Sequence, residues 1–89
     1  IRLNKKIDFL LIDGNHTKTA TITYLSQMYS LFHNDTIIII HDIHWSPEME
    51  SAWKTLINNP DIKLSVDLFF MGIIFFKNEL SKQNFVIKF

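Results

Sequence analysis

The spacing of apolar and polar positions divides the chain into short strands and two helices. Residues 7–12 and 36–40 are almost continuously apolar, and such runs are typical of strands that are covered on both faces in a parallel sheet. After each run, apolar residues recur three and four positions apart, which predicts a helix. The chain is therefore expected to begin with the order β-α-β-α.

Both helices carry start signals. Thr17 and Ser46 are good N-cap residues, and Pro47 suits the first helical position because it has no N–H to leave unpaired. The apolar stripes predict which side of each helix is buried. They consist of Ile22, Leu25, Met28, Tyr29 and Phe32 in the first helix, and of Met49, Ala52, Trp53, Leu56 and Ile57 in the second.

The pattern changes after the second helix. Residues 62–68 alternate between apolar and polar, which predicts a strand with one wet face, and Asp67 falls on its polar side. A turn leads to a buried strand at 73–76, and residues 84–89 form a terminal strand extension. The fold class is thus an open, Rossmann-like α/β sheet, β-α-β-α-β-β with an antiparallel edge, in a single partial domain over 1–89.

Composition excludes several classes of function. Nine Lys and Arg balance nine Asp and Glu, so the chain lacks the excess cations that a nucleic-acid or polybasic membrane binder needs. Without cysteine it has no disulfides or thiolate metal sites, and with two glycines it has no Gly-rich phosphate loop. The longest apolar run is far shorter than the roughly 20 residues of a membrane span, and no signal peptide is evident, so we expect a cytoplasmic protein.

Two polar clusters follow the first two strands: Asp13-Gly14-Asn15-His16 and Asp42-Ile43-His44-Trp45. Ligands of open α/β sheets bind beyond the carboxyl ends of the strands, and neighbouring strands lie about 4.8 Å apart. Two such aspartates would repel each other without a cation or shared proton, which favours Mg²⁺ or another divalent ion. A softer metal could recruit His16 or His44. The structural alternative is an ordinary Asp-Gly turn.

The run 7–16, Ile-Asp-Phe-Leu-Leu-Ile-Asp-Gly-Asn-His, resembles the fourth strand of class I S-adenosylmethionine-dependent methyltransferases. Their small-molecule O-methyltransferase branch often ends this strand with Asp-Gly-x-His. Residues 35–45 resemble the fifth strand, 46–58 the next helix and 62–76 the sixth and seventh strands. The resemblance implies the C-terminal half of a seven-stranded sheet with the order 3-2-1-4-5-7-6, with the cofactor-binding residues expected upstream of Ile1.

The resemblance implies S-adenosylmethionine-dependent O-methylation of a small molecule by the intact protein, with this half alone inactive. By position, Asp13 and Asp42 match the metal-binding aspartates of the branch that resembles catechol O-methyltransferase, although Ile43 replaces an Asn ligand. His16 stands at the position of the catalytic lysine. Because neutral imidazole is a good base near pH 7, the catalytic residues are expected to be His16 and Asp13.

At the second strand end, His44 and Trp45 are candidate substrate-binding residues. Trp45 could also serve as a lid.

Two other classes of function stay open. The Gly14-Asn15-His16 and Asp42-Ile43-His44 elements superficially match the ligand motifs of metal-dependent phosphoesterases, although in reversed order. A non-catalytic α/β scaffold or adaptor is the third possibility. The expected partner is a small-molecule acceptor, with no nucleic acid or membrane. Because strand 7–12 would lack its neighbour from the missing half, we also expect a homodimer through that edge.

Overall fold

The structure is a computed structural model that describes residues 6–13 and 17–87. Over these residues the chain forms five strands, two α-helices and one short 3-10 turn. The strands are β1 (Phe9–Ile12), β2 (Ile37–His41), β3 (Leu64–Asp67), β4 (Met71–Phe75) and β5 (Gln83–Val86), and the helices are α1 (Lys18–Met28) and α2 (Pro47–Ile57), with the 3-10 turn at Tyr29–Leu31.

The strands form one mixed open sheet in the order β1-β2-β4-β3-β5. β1 and β2 are parallel, with Ile12 opposite Ile40. β4 runs antiparallel to β2 and β3, and β5 runs parallel to β3. The predicted α/β class, the parallel pair and the hairpin of the sixth-and-seventh-strand region are therefore present in the structure.

The antiparallel strand β4 lies inside the sheet between β2 and β3, as the order 4-5-7-6 implied by the resemblance requires. The edge of the sheet differs from the predicted antiparallel edge, because β5 pairs in parallel with β3 and forms the edge with all four residues exposed. Amino-acid composition explains this arrangement. The apolar segment 71–76 is stabilised by strand neighbours on both sides, whereas the polar start of β5 is compatible with an edge strand that faces solvent. The terminal strand also begins at Gln83, one residue before the predicted extension.

Both helices begin as predicted. The Thr17 hydroxyl accepts a hydrogen bond from the Ala20 N–H at 3.2 Å, and the Ser46 hydroxyl accepts one from the Met49 N–H at 3.2 Å, with Pro47 in the first turn. Such caps satisfy N–H groups that have no partner inside the helix, and each stabilises its helix by about 1 kcal/mol. α1 ends at Met28, so the last two positions of the predicted stripe lie beyond the α-helix.

Both helices pack on the same face of the sheet, where they contact each other. Crossovers between parallel strands are right-handed, so the direction in which a crossover moves across the sheet fixes the face on which its helix lies. The β1–α1–β2 and β2–α2–β3 crossovers move in the same direction, and their helices therefore lie on the same face. The buried core lies between the helices and this face. It contains Ile12, Leu25, Ile38, Ile40, Ile43, Met49, Trp53, Ile62, Ile74 and Phe76.

The opposite face carries no described helix. Phe9 and Leu11 of β1 are 57% and 63% exposed, and Ile37 and Ile39 of β2 are only half-buried. The prediction that strands 7–12 and 36–40 are covered on both faces is therefore wrong for the described residues. In these residues no helix is long and apolar enough to cross a membrane.

Candidate functional site

The two predicted aspartates lie side by side at the carboxyl ends of neighbouring strands. Asp13 directly follows β1 and Asp42 directly follows β2, and these parallel strands are neighbours in register. Asp13 is exposed and Asp42 is half-buried. Gly14, Asn15 and the predicted base His16 lie outside the described residues, so the structure assigns His16 no position.

Asp42 begins a tight turn. Its φ of 59° lies in the left-handed region, which Asp tolerates better than most residues. The Asp42 N–H donates to the Phe70 carbonyl at 2.8 Å, and the Asp42 carbonyl accepts from the Trp45 N–H at 3.0 Å. Its carboxylate Oδ2 is 3.1 Å from His41 Nδ1. Ile43, inside the turn, is fully buried, which fixes the turn to the core.

The rest of this turn places its two candidate residues differently. Trp45 is 72% exposed, so its ring is available to a ligand. His44 instead faces the protein: its Nδ1 lies 2.7 Å from Glu50 Oε2 of α2, and its Nε2 lies 2.7 Å from Asp67 Oδ2 of β3. Both ring nitrogens that were expected to meet a substrate are thus engaged by carboxylates of the chain itself.

The expectation that Asp67 faces solvent is wrong. The residue is 8% exposed, and Ser65 beside it on the same side of β3 is also buried. The alternation along β3 was predicted correctly, but the apolar face was expected to be buried and the polar face exposed. In the structure the polar positions point toward the helices. Asp67 Oδ1 accepts the Phe69 N–H at 2.8 Å and Oδ2 contacts His44, so the buried carboxylate is fully partnered.

Phe69 completes the cluster around His44. Its ring stacks on the imidazole with centroids 5.5 Å apart and an interplanar angle of 27°. Its φ of 75° is unusual for a bulky residue, and such strained positions cost about 1–3 kcal/mol each and occur often at functional sites. Sequence reasoning missed these contacts of Glu50, Asp67 and Phe69. Asp67 and Phe69 meet His44 only through pairing of distant segments, whereas Glu50 lies six positions after His44 and meets it through the turn before α2.

The electrostatics of His44 follow from these contacts. Burial of the ring lowers its pKa, but the hydrogen bonds and charges of Glu50 and Asp67 outweigh burial, so the pKa of His44 lies above its ordinary value. The cluster therefore favours the imidazolium form, in which both ring nitrogens donate.

The predicted cation is not supported. Among the described residues, no group of three or more His, Asp or Glu side chains could hold a metal ion. Asp13 and Asp42 supply two carboxylates at one edge, and one oxygen of Asp42 already lies beside His41. The described residues thus do not fit a resident metal, and no step of the proposal below passes through one.

Of two hollows in the surface, one is lined by a predicted site residue and the other is not. One of about 280 Å³ borders Asp13, between the end of β1 and the start of α1. A larger one of about 480 Å³ lies between α1 and α2 toward the opposite edge of the sheet, and neither Asp13 nor Asp42 lines it. The smaller hollow is the one that is placed for chemistry at the strand ends, because ligands of this sheet class bind at the carboxyl edge.

Comparison with known proteins gives a match to a family model. Residues 2–43 match the model of a family described as a methyltransferase domain. No curated protein and no solved structure matches the chain. The matched stretch contains β1, α1 and β2 and includes both aspartates. The predicted resemblance to the methyltransferases is therefore confirmed over residues 2–43, which are somewhat less than half of the chain.

Proposed function

We propose that this chain is the C-terminal half of a class I methyltransferase domain and that the intact protein O-methylates a small molecule. The observation that carries the proposal is the sheet order. The order β1-β2-β4-β3, with β4 antiparallel to both neighbours, corresponds to strands 4-5-7-6 of the family's sheet, and the family match covers the first two of these strands. β5 then extends the sheet by one strand.

The open side of β1 and the sheet face without described helices also support the proposal that the chain is half of a larger domain. β1 has a strand neighbour on only one side among the described residues, and Phe9 and Leu11 expose apolar surface on the face without helices. In a complete domain, strand 1 would pair with β1, and helices of the upstream half would cover that face. Burial of this surface would stabilise the domain, because apolar area removed from water contributes about 25 cal/mol per Å².

The strand ends provide the groups that the reaction needs. The cofactor, when bound, supplies an activated methyl group. One base, His16 or Asp13, takes up the proton of the acceptor hydroxyl, since both follow β1 along the chain and Asp13 lines the hollow beside α1. Asp42 and Trp45 contact the acceptor from the neighbouring strand end. Holding the acceptor oxygen in line with the methyl group supplies much of the rate gain.

The test uses the full-length gene product. Calorimetry with S-adenosylmethionine should detect binding, and labelled cofactor should transfer methyl groups to members of a panel of small hydroxylated compounds. Of the variants Asp13→Asn and His16→Gln, the one that removes the base is expected to lower turnover at least about 100-fold, because general-base catalysis contributes about 10²–10⁴-fold. The control Asp61→Asn removes an exposed carboxylate away from the strand ends and should leave turnover unchanged.

A protein that fails to bind the cofactor would contradict the proposal and favour a non-catalytic scaffold. Turnover measured with and without EDTA then decides separately whether a divalent cation takes part.

A further inference from the structure

We propose that His44, held between Glu50 and Asp67, is a positioning residue that fixes the Asp42–Trp45 turn against the β3–β4 turn. The proposal rests on the proposed function, in which Asp42 and Trp45 border the acceptor. We call the three side chains Glu50, His44 and Asp67 the clamp.

The clamp joins separate parts of the fold. Glu50 belongs to α2 and Asp67 to β3, while His44 lies in the loop after β2. Both contacts of the imidazole are 2.7 Å long, and the ring also stacks on Phe69. The ring is therefore held in its plane by two hydrogen bonds and against one of its faces by an aromatic contact.

Asp67 couples the two turns directly. One oxygen of its buried carboxylate contacts His44, and the other accepts the Phe69 N–H at 2.8 Å. A second link runs from the Asp42 N–H to the Phe70 carbonyl. Movement of either turn would therefore break a hydrogen bond in the other, so the two turns hold one shared position.

The turns need such a restraint. Asp42 and Phe69 both have positive φ values, at 59° and 75°, and neither is glycine. Conformations of this kind persist only where the surroundings over-determine them. The exposed Trp45 contributes little packing of its own, and Ile43 fixes only the interior of its turn. The clamp supplies the missing restraint on the outer side of the turn.

A positioning role fits His44 better than a direct chemical role. With Glu50 and Asp67 on its two nitrogens, the ring presents no free lone pair to an acceptor hydroxyl. Within residues 6–13 and 17–87, no group of three His, Asp or Glu side chains, the clamp included, is arranged so that it could hold a metal ion.

The variants are chosen to separate positioning from folding. His44→Phe keeps an aromatic ring against Phe69 and removes both polar contacts, and Asp67→Asn keeps the shape of the carboxylate. The control is His33→Phe, which removes another His–carboxylate pair, His33 with Asp8 at 2.6 Å. The His33 side chain is 28% exposed, against 27% for His44. His33→Phe therefore reports the general cost of losing such a pair.

The first measurement is amide hydrogen exchange. In the wild type, the amides of Asp42 and Trp45 donate to carbonyl groups and should be protected. His44→Phe and Asp67→Asn should speed their exchange at least about tenfold while amides at the centre of β2 stay protected, because only local opening is involved. His33→Phe should leave both amides unchanged. Unchanged exchange in Asp67→Asn and His44→Phe overturns the clamp.

The second measurement is steady-state kinetics of the full-length protein. The clamp variants should lower kcat/KM for the acceptor at least about tenfold, since small misplacements of positioning groups are costly, with cofactor affinity within about twofold of wild type. His44→Gln, which restores a donor toward Asp67, should recover part of the loss. Faster exchange with unchanged kinetics overturns the positioning role. A wild type without methyl transfer contradicts the proposed function instead, and the exchange data still decide whether the clamp exists.

Discussion

A single carboxylate shows how much a residue's role depends on its surroundings. Asp67 is buried, yet its two oxygens meet the Phe69 N–H and the His44 ring. An unpaired buried charge would be strongly destabilising, whereas a partnered one is tolerated. Within the described residues, every buried side-chain nitrogen and oxygen has a partner. The polar side of β3 is therefore compatible with the interior.

The raised pKa of His44 predicts a pH-dependent stability. The folded protein binds the proton of His44 more tightly than the unfolded chain does, so the stabilisation is fully present below about pH 6.5. It is lost as the pH rises through the raised pKa of the folded state. The titratable groups in contact with the ring are Glu50 of α2 and Asp67 of β3, and Lys54 of α2 lines the same hollow.

The measurement is urea unfolding of wild type and His44→Phe between pH 5.5 and 9. The difference in the free energy of unfolding should shrink as the pH rises, because only the wild type loses this contribution. An NMR titration of the His44 ring that gave a pKa at or below 6.5 would contradict the interpretation.

At the scale of elements, one close contact sets how α2 sits on the sheet. The Trp53 ring of α2 lies over Gly72 of β4, and a Cβ added at Gly72 would be 2.4 Å from two atoms of the ring. The glycine is required by this approach and not by its backbone angle, since no described glycine has a positive φ. Trp53 is buried, as its place on the apolar stripe predicted.

Gly72→Ala is expected to lower the free energy of unfolding by about 1–3 kcal/mol, because overpacking forces the ring and α2 to shift. The matched control is Trp53→Leu, alone and combined with Gly72→Ala. With the ring removed, the added methyl group has space, so the double variant should be less destabilised than the sum of the single variants. Strict additivity in urea denaturation would show that the ring is not what excludes the methyl group.

At the scale of the whole molecule, one face of the sheet is covered by helices and the other is bare as far as residues 6–13 and 17–87 show. Both helices and the core lie on one side, while the β1 edge presents the exposed Phe9 and Leu11. An apolar strand edge without a neighbour is a template for pairing with another chain. The zero formal charge adds no net repulsion between copies.

We therefore expect the isolated 89-residue polypeptide to dimerise through strand 7–12. Leu11→Lys should shift it toward monomer in sedimentation equilibrium, because a lysine on an edge strand opposes pairing. Leu80→Lys serves as the control, since Leu80 is also exposed but lies in the loop before β5. A monomer at all accessible concentrations, or equal effects of the two substitutions, would contradict this edge as the interface.

The sequence by itself determined the local elements and the edge where the candidate chemistry lies. Apolar spacing located both helices, Thr17 and Ser46 marked their starts, and two buried runs indicated a parallel pair. A parallel pair joined by a crossover helix must end at one edge, so Asp13 and Asp42 were predicted there correctly. These inferences succeed because helix periodicity, capping and crossover geometry involve residues that are close along the chain.

Only the tertiary structure decided which side of β3 faces the helices, which strand β5 pairs with, and what His44 contacts. A period of two separates the two faces of a strand but does not say which is inside, so Ser65 and Asp67 were assigned to the wrong one. The parallel pairing of β5 with β3 depends on contact between separate segments of the chain, which the apolar pattern does not specify. His44 and Asp67 are 23 positions apart and meet only once β2, β4 and β3 are paired, because their contact is a property of strand register and not of local spacing.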